Sequence, residues 1–122
     1  MATNGKVVIN LATGLEDPER VTVAFLVAGA AAQAGKAVTM FMTKEAVRLA
    51  LPDVAQGVAC DGCPALPTLV AQYADAGGRM LVCPVCINAR KLSASELIDG
   101  AQLGGATPLW EWIDGGATVF SY

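Results

Sequence analysis

The sequence predicts an α/β fold, a three-layer α/β/α sandwich with a mostly parallel central sheet of about five strands. Three observations carry that expectation. Short β-branched and apolar runs alternate with helix-length segments along the chain. The clearest runs are apolar at consecutive positions, as suits strands covered on both faces. Helix start and stop residues fall in the gaps between them.

The first element is "KVVINLA", Lys6 to Ala12, read as a strand. In the segment after it, Asp17 suits an N-cap, Pro18 the first helical position and Glu19 the positive end of the dipole, with Gly35 as the stop. "KAVTMFM", Lys36 to Met42, is the second strand, and Thr43 can cap a helix running to about Leu51 before Pro52. Residues 53 to 63, "DVAQGVACDGC", show no sustained period and read as a loop. Leu66, Leu69, Val70, Tyr73 and Ala74 then recur at helical spacing, with Gly77 and Gly78 to end the helix. Tyr73 belongs to that apolar stripe and is read as core. "RMLVC" is the third strand. Ser93 with Glu96 forms a capping-box pattern, "GAQLGG" holds a weak strand, Thr107 and Pro108 open "LWEWID", and "ATVFSY" closes the chain as a strand. Trp110 and Trp112, two apart on that last helix, face different ways: one toward the core, the other toward a subunit contact.

At 122 residues, residues 1–122 are read as one domain. Hydrophobic residues make up 54% and charged residues 16% of the chain, a balance that points to extensive burial, within the fold or between subunits, so an oligomer is expected. The net charge of −3 and the lack of a clustered Lys/Arg face weigh against nucleic acid as a partner. The longest mild apolar stretch, Val21 to Ala32, is too short to cross a bilayer, so no membrane partner is expected. The opening residues lack a secretory pattern, and a cytoplasmic location is expected. "TGLEDPER" lacks both the GxGxxG and the GxxxxGK[ST] patterns of nucleotide sites.

The chain has no histidine. Cys-His pairs, Ser-His-acid triads and His-ligated metals are excluded within one subunit, which leaves cysteine, carboxylate or backbone chemistry. The four cysteines form two CxxC elements, Cys60-Asp61-Gly62-Cys63 and Cys83-Pro84-Val85-Cys86. The second stands where a strand expected to be parallel gives way to a helix, the edge at which open α/β sheets bind ligands. With Cys83 at the N-cap and Pro84 at the first helical position, the sulfur would lie near unpaired N–H groups, which favour thiolate. Arg90 and Lys91, two turns on, add only weak, screened support.

Three chemistries share this pattern. Cys83 can act as a nucleophilic thiol with Cys86 as its neighbour. The nineteen residues between the elements also fit a four-sulfur site, in which Cys60, Cys63, Cys83 and Cys86 hold zinc or an iron–sulfur cluster. A dithiol oxidoreductase or peroxidase using the CxxC pair Cys83 and Cys86 is the third. Spacing does not separate them. The bland alternative, that Cys83 is a small buried hydrophobe at a strand end, is weakened by the second cysteine three positions on.

In element order the chain resembles the DsrE/DsrF-like family, with its TusD-type sulfur-relay proteins. The likeness runs through the "DPER" helix start, "MFMTKEAV", "AGGRMLVC", the segment running to "ARKL" and the closing "ATVFSY". It implies that Cys83 falls on the cysteine that carries transferred sulfur as a persulfide, and that Arg90 and Lys91 fall in a basic substrate-binding segment. It also implies trimers or hexamers, and sulfur donor and acceptor proteins as partners. Cys60, Cys63 and Cys86 lie outside the pattern. The expected function is a small persulfide carrier acting through Cys83, with no cofactor, and with Cys86 able to release the sulfur; a stand-alone turnover enzyme is the less favoured reading.

Overall fold

The computed structural model describes residues 5–122. Five strands, β1 (Lys6–Leu11), β2 (Ala37–Met42), β3 (Arg79–Val82), β4 (Ala101–Leu103) and β5 (Thr118–Ser121), form one sheet in the order β4-β3-β2-β1-β5. Every pairing is parallel. Four α-helices connect them: α1 (Pro18–Gln33), α2 (Leu66–Asp75), α3 (Pro84–Ala89) and α4 (Ala106–Ile113). No helix among the described residues is long and apolar enough to cross a membrane.

The two faces of the sheet differ because successive strand residues alternate. Val7, Ile9 and Leu11 of β1, Val38, Met40 and Met42 of β2, and Met80 and Val82 of β3 join one buried cluster with Phe25, Leu66, Val70 and Tyr73 of α1 and α2. Phe25 and Tyr73 meet edge to face, with ring centroids 5.9 Å apart. The Tyr73 hydroxyl donates to the Arg79 carbonyl at 2.6 Å, and its burial pushes the phenol well above the usual range, so it is a structural strut. On the opposite face the chain reverses its direction across the sheet, and α4 returns it from β4 to β5. Lys6 Nζ ties this helix down by donating to the Trp112 carbonyl at 2.7 Å, below the Trp112 ring. No residue of α4 is buried, and Trp110 is 70% exposed.

Local signals hold well at α1: the Asp17 carboxylate accepts from the Arg20 amide at 3.1 Å, and Gly35 stops the chain at φ +88°. Three expectations need correction. The segment after Thr43 is a 3-10 helix, Lys44–Ala50, entered through Lys44 at φ 53° with no side-chain cap from Thr43. The Ser93–Glu96 pattern starts no helix, because the Ser93 hydroxyl accepts from the Ser95 amide in a local turn. Helix α4 begins one residue before Thr107, with Gly105 at its N-cap.

Candidate functional site

The carboxyl ends of β1, β2 and β3 lead directly into the site. The ladder continues one residue past each strand: the Thr43 amide donates to Leu11 and the Cys83 amide to Met42, both at 3.0 Å. Cys83 therefore stands as the last sheet-bonded residue of β3 and the N-cap of α3, with Pro84 at the first helical position. Its carbonyl opens the helix by accepting from Ile87 at 3.1 Å. Its thiol makes no capping bond to the helix amides, so the assistance expected from the helix start is not realised as a hydrogen bond.

Cys83 and Cys86 are free thiols, each partly exposed. They stand at the two ends of the first turn of α3, close enough to influence each other's ionisation. Burial pushes the Cys86 thiol up, a backbone hydrogen bond at Lys44 lowers it, and neighbouring Cys83 raises it further. Cys86 therefore holds its proton more firmly than an ordinary cysteine. Val85, between them, is 74% exposed and leaves the pair accessible.

Helix α3 ends as abruptly as it begins. The Lys91 amide donates to Asn88 at 3.0 Å and Leu92 to Ile87 at 3.1 Å, with Lys91 at φ 55°, the bonding of a Schellman cap with lysine where glycine is usual. This turn aims Arg90 back at the 3-10 helix. Its Nε donates to Glu45 Oε2 at 2.6 Å and its Nη1 to the Cys86 carbonyl at 3.3 Å. Arg48 Nε takes the other Glu45 oxygen at 2.8 Å. The two guanidinium groups, Arg90 first, hold the Glu45 carboxyl below its usual range. Arg90 is therefore a clamp between Cys86 and the 3-10 helix, whereas Lys91 is exposed.

Glu45, Arg48 and Gly14 escaped sequence reasoning. The i,i+3 spacing of Glu45 and Arg48 signals their local pair, but nothing local announces the contact with Arg90, 45 positions away. A Cβ on Gly14 would stand 2.5 Å from the Glu45 carbonyl oxygen, so only glycine lets the β1–α1 loop approach the clamp. In that loop the Gly14 amide donates to the Glu16 carboxylate at 2.8 Å, which occupies a donor that an anion would otherwise use.

The four-sulfur metal centre is not assembled. Cys60 and Cys63 are joined as a disulfide in the loop before α2, where neither sulfur is a thiolate that could ligate a metal. Cys60 Sγ lies 3.8 Å from the Thr22 hydroxyl of α1, while Cys86 lies beside Cys83 and Lys44. Among the described residues no group of three or more Cys, Asp or Glu is placed to hold a metal ion.

The model of the DsrE/DsrF-like family matches residues 5–122. No curated protein matches the chain. The YchN protein of Escherichia coli has a similar fold, at 19% identity and TM-score 0.77, over 97% of this chain and 99% of that one. MTH1491 of Methanobacterium thermoautotrophicum, a protein of unknown function, is similar at 14% identity and TM-score 0.74, over 98% and 100% of the two chains. BT1422 of Bacteroides thetaiotaomicron, also of unknown function, has 18% identity and TM-score 0.65, over 98% and 96%.

Proposed function

The chain belongs to the DsrE/DsrF-like family, and from that premise we propose that it is a sulfur-relay protein in which Cys83 carries sulfane sulfur as a persulfide. One observation carries the assignment: Cys83 stands as a free, partly exposed thiol at the junction of β3 and α3, with a second free thiol, Cys86, one helical turn on. The Cys83 thiolate attacks the outer sulfur of a donor persulfide; the new S–S bond forms as the donor's S–S bond breaks and its thiolate leaves. An acceptor thiolate then attacks the outer sulfur on Cys83, which departs as thiolate. No net oxidation occurs in either step. In a second exit route, Cys86 loses its proton and attacks the Cys83 sulfur, giving a Cys83–Cys86 disulfide and hydrosulfide. The sulfane sulfur gains the two electrons that the pair loses.

The clamp of Arg90 on Glu45 and on the Cys86 carbonyl supports this reading by fixing the turn that bears the second thiol. With Arg90 engaged by Glu45, exposed Lys91 and Lys44 supply cations that can meet an anionic donor or partner surface. Assembly into a homo-oligomer accompanies the proposal, since edge strand β5 leaves Val119 and Phe120 exposed and α4 leaves Trp110 exposed. Inorganic polysulfide serves as the test donor. Wild-type protein is expected to gain one sulfur atom per chain that reductant removes, and Cys83→Ser to gain none. Undiminished loading of that variant rejects the role given to Cys83.

A further inference from the structure

The Cys60–Cys63 disulfide lies outside the sulfur-relay reading. We propose that it is a second active centre, a dithiol–disulfide couple that exchanges two electrons with a dithiol, acting separately from Cys83 and Cys86.

The local frame favours reversible closure over a structural staple. The ring closes over only Asp61 and Gly62, so it constrains little of the unfolded chain, and the constraint a disulfide imposes grows with the loop it closes. The turn is also held without the sulfur bond. The Cys63 amide donates to the Cys60 carbonyl at 3.1 Å, and Gly62 takes φ +78°, the third-position geometry of a type II turn. Buried Val58 before the ring and buried Leu66 after it anchor the loop. On reduction the two sulfurs stay within reach of each other, which keeps re-closure intramolecular and fast.

Access is provided as well. Both cysteines are partly exposed, and they line an open hollow of 360 Å³ with Val58, Ala59, Pro64 and Pro67. No charged side chain lines it. It suits an uncharged stretch of chain that presents a thiol. The two sulfurs are not equivalent, because the Thr22 hydroxyl lies 3.8 Å from Cys60 Sγ and can turn from the Pro18 carbonyl to donate to a Cys60 thiolate. An incoming thiolate therefore attacks the Cys63 sulfur. The Cys60–Cys63 bond breaks, Cys60 leaves as a thiolate, and a mixed disulfide forms on Cys63. The second thiol of the dithiol, having lost its proton, attacks its own sulfur in the mixed disulfide and releases Cys63. The reductant ends as a disulfide, and Cys60 and Cys63 end as two thiols after uptake of two protons.

The test uses the full chain carrying Cys83→Ser and Cys86→Ser, equilibrated without denaturant in buffers of varied reduced-to-oxidised glutathione ratio, acid-quenched, alkylated and weighed. The expected result is a reversible passage from no alkyl groups to two within the series, with the slope of a two-electron couple. A pair that stays closed even in excess dithiothreitol, or stays open in the most oxidising mixture, overturns the proposal. Where the double variant does not fold, the same titration is read on wild-type protein by peptide mapping of Cys60 and Cys63. Thr22→Val is expected to slow reduction by dithiothreitol several-fold; an unchanged rate overturns the assignment of Cys60 as the leaving sulfur.

Discussion

Cys60–Cys63 and Cys83–Cys86 have the same spacing and opposite surroundings. The first lies in a turn that closes on itself, anchored by one buried residue on either side and touching helix α1 through Thr22. The second joins a core strand to a helix, with the Cys83 amide in the sheet ladder and Cys86 pinned by Lys44 and Arg90. A turn brings two sulfurs into bonding distance. A strand–helix junction holds two free thiols one helical turn apart, and burial raises the second, Cys86. On the proposed reading the same motif supports electron exchange in one place and sulfur carriage in the other, and the frame decides which.

The contrast is broken most forcefully at Cys83. In Cys83→Ser, polysulfide loading should fall to background while the glutathione titration of Cys60 and Cys63 keeps its form; loading that survives, or a couple that disappears, would merge the two centres into one. Gly14→Ala strikes the frame of the Cys83–Cys86 centre alone. Its Cβ would collide with the Glu45 carbonyl, and we expect a loss of about 1–3 kcal/mol by denaturant unfolding, with faster alkylation of Cys86. An unchanged stability would show that the β1–α1 loop yields without disturbing the clamp. Tyr73→Phe, which removes the strut at the base of β3, is expected to cost about 1 kcal/mol by the same measurement, with little change in thiol reactivity.

Smaller effects sharpen the comparison through pH. Because burial pushes the Cys86 thiol up, its alkylation rate should keep rising above the ordinary thiol range near ~8.5, and mapped peptides should show it lagging Cys83 at neutral pH. A Cys86 rate that levels off within the ordinary thiol range would show that burial does not raise it. Glu45 acts at the other end of the scale. Its folded-state pKa is lowered by Arg90 and Arg48, so its contribution is present above the ordinary unfolded value of ~4.3 and lost as pH falls from there through the folded one. In Glu45→Gln the acid limb of the stability profile between those values should flatten; an unaltered limb would show that the ion pairs contribute nothing there. The step is small, since Glu45 is partly exposed and its ion pairs are screened by salt.

The sheet and its first helix were legible because their signals are local: consecutive apolar residues for β1 to β3, and Asp17-Pro18 with Gly35 for α1. The strand–helix junction at Cys83 was legible for the same reason, through Pro84. Long-range partners were not. The position of Arg90 suggested a free cation, and only the fold brings Glu45 beneath it. Thr43 resembled a cap, yet Lys44 at φ 53° carries the chain into a tighter helix. Two cysteine pairs at zinc-like spacing did not reveal that one would close on itself beside Thr22.

The most direct test of the account places sulfur on a residue. Wild-type protein loaded with polysulfide under native conditions, trapped by alkylation and mapped by peptide mass spectrometry, should carry its added sulfur on Cys83, with Cys60 and Cys63 appearing only as thiols or as their own disulfide. Added sulfur on Cys60 or Cys63, with Cys83 unmodified, would contradict the division of labour between the two centres.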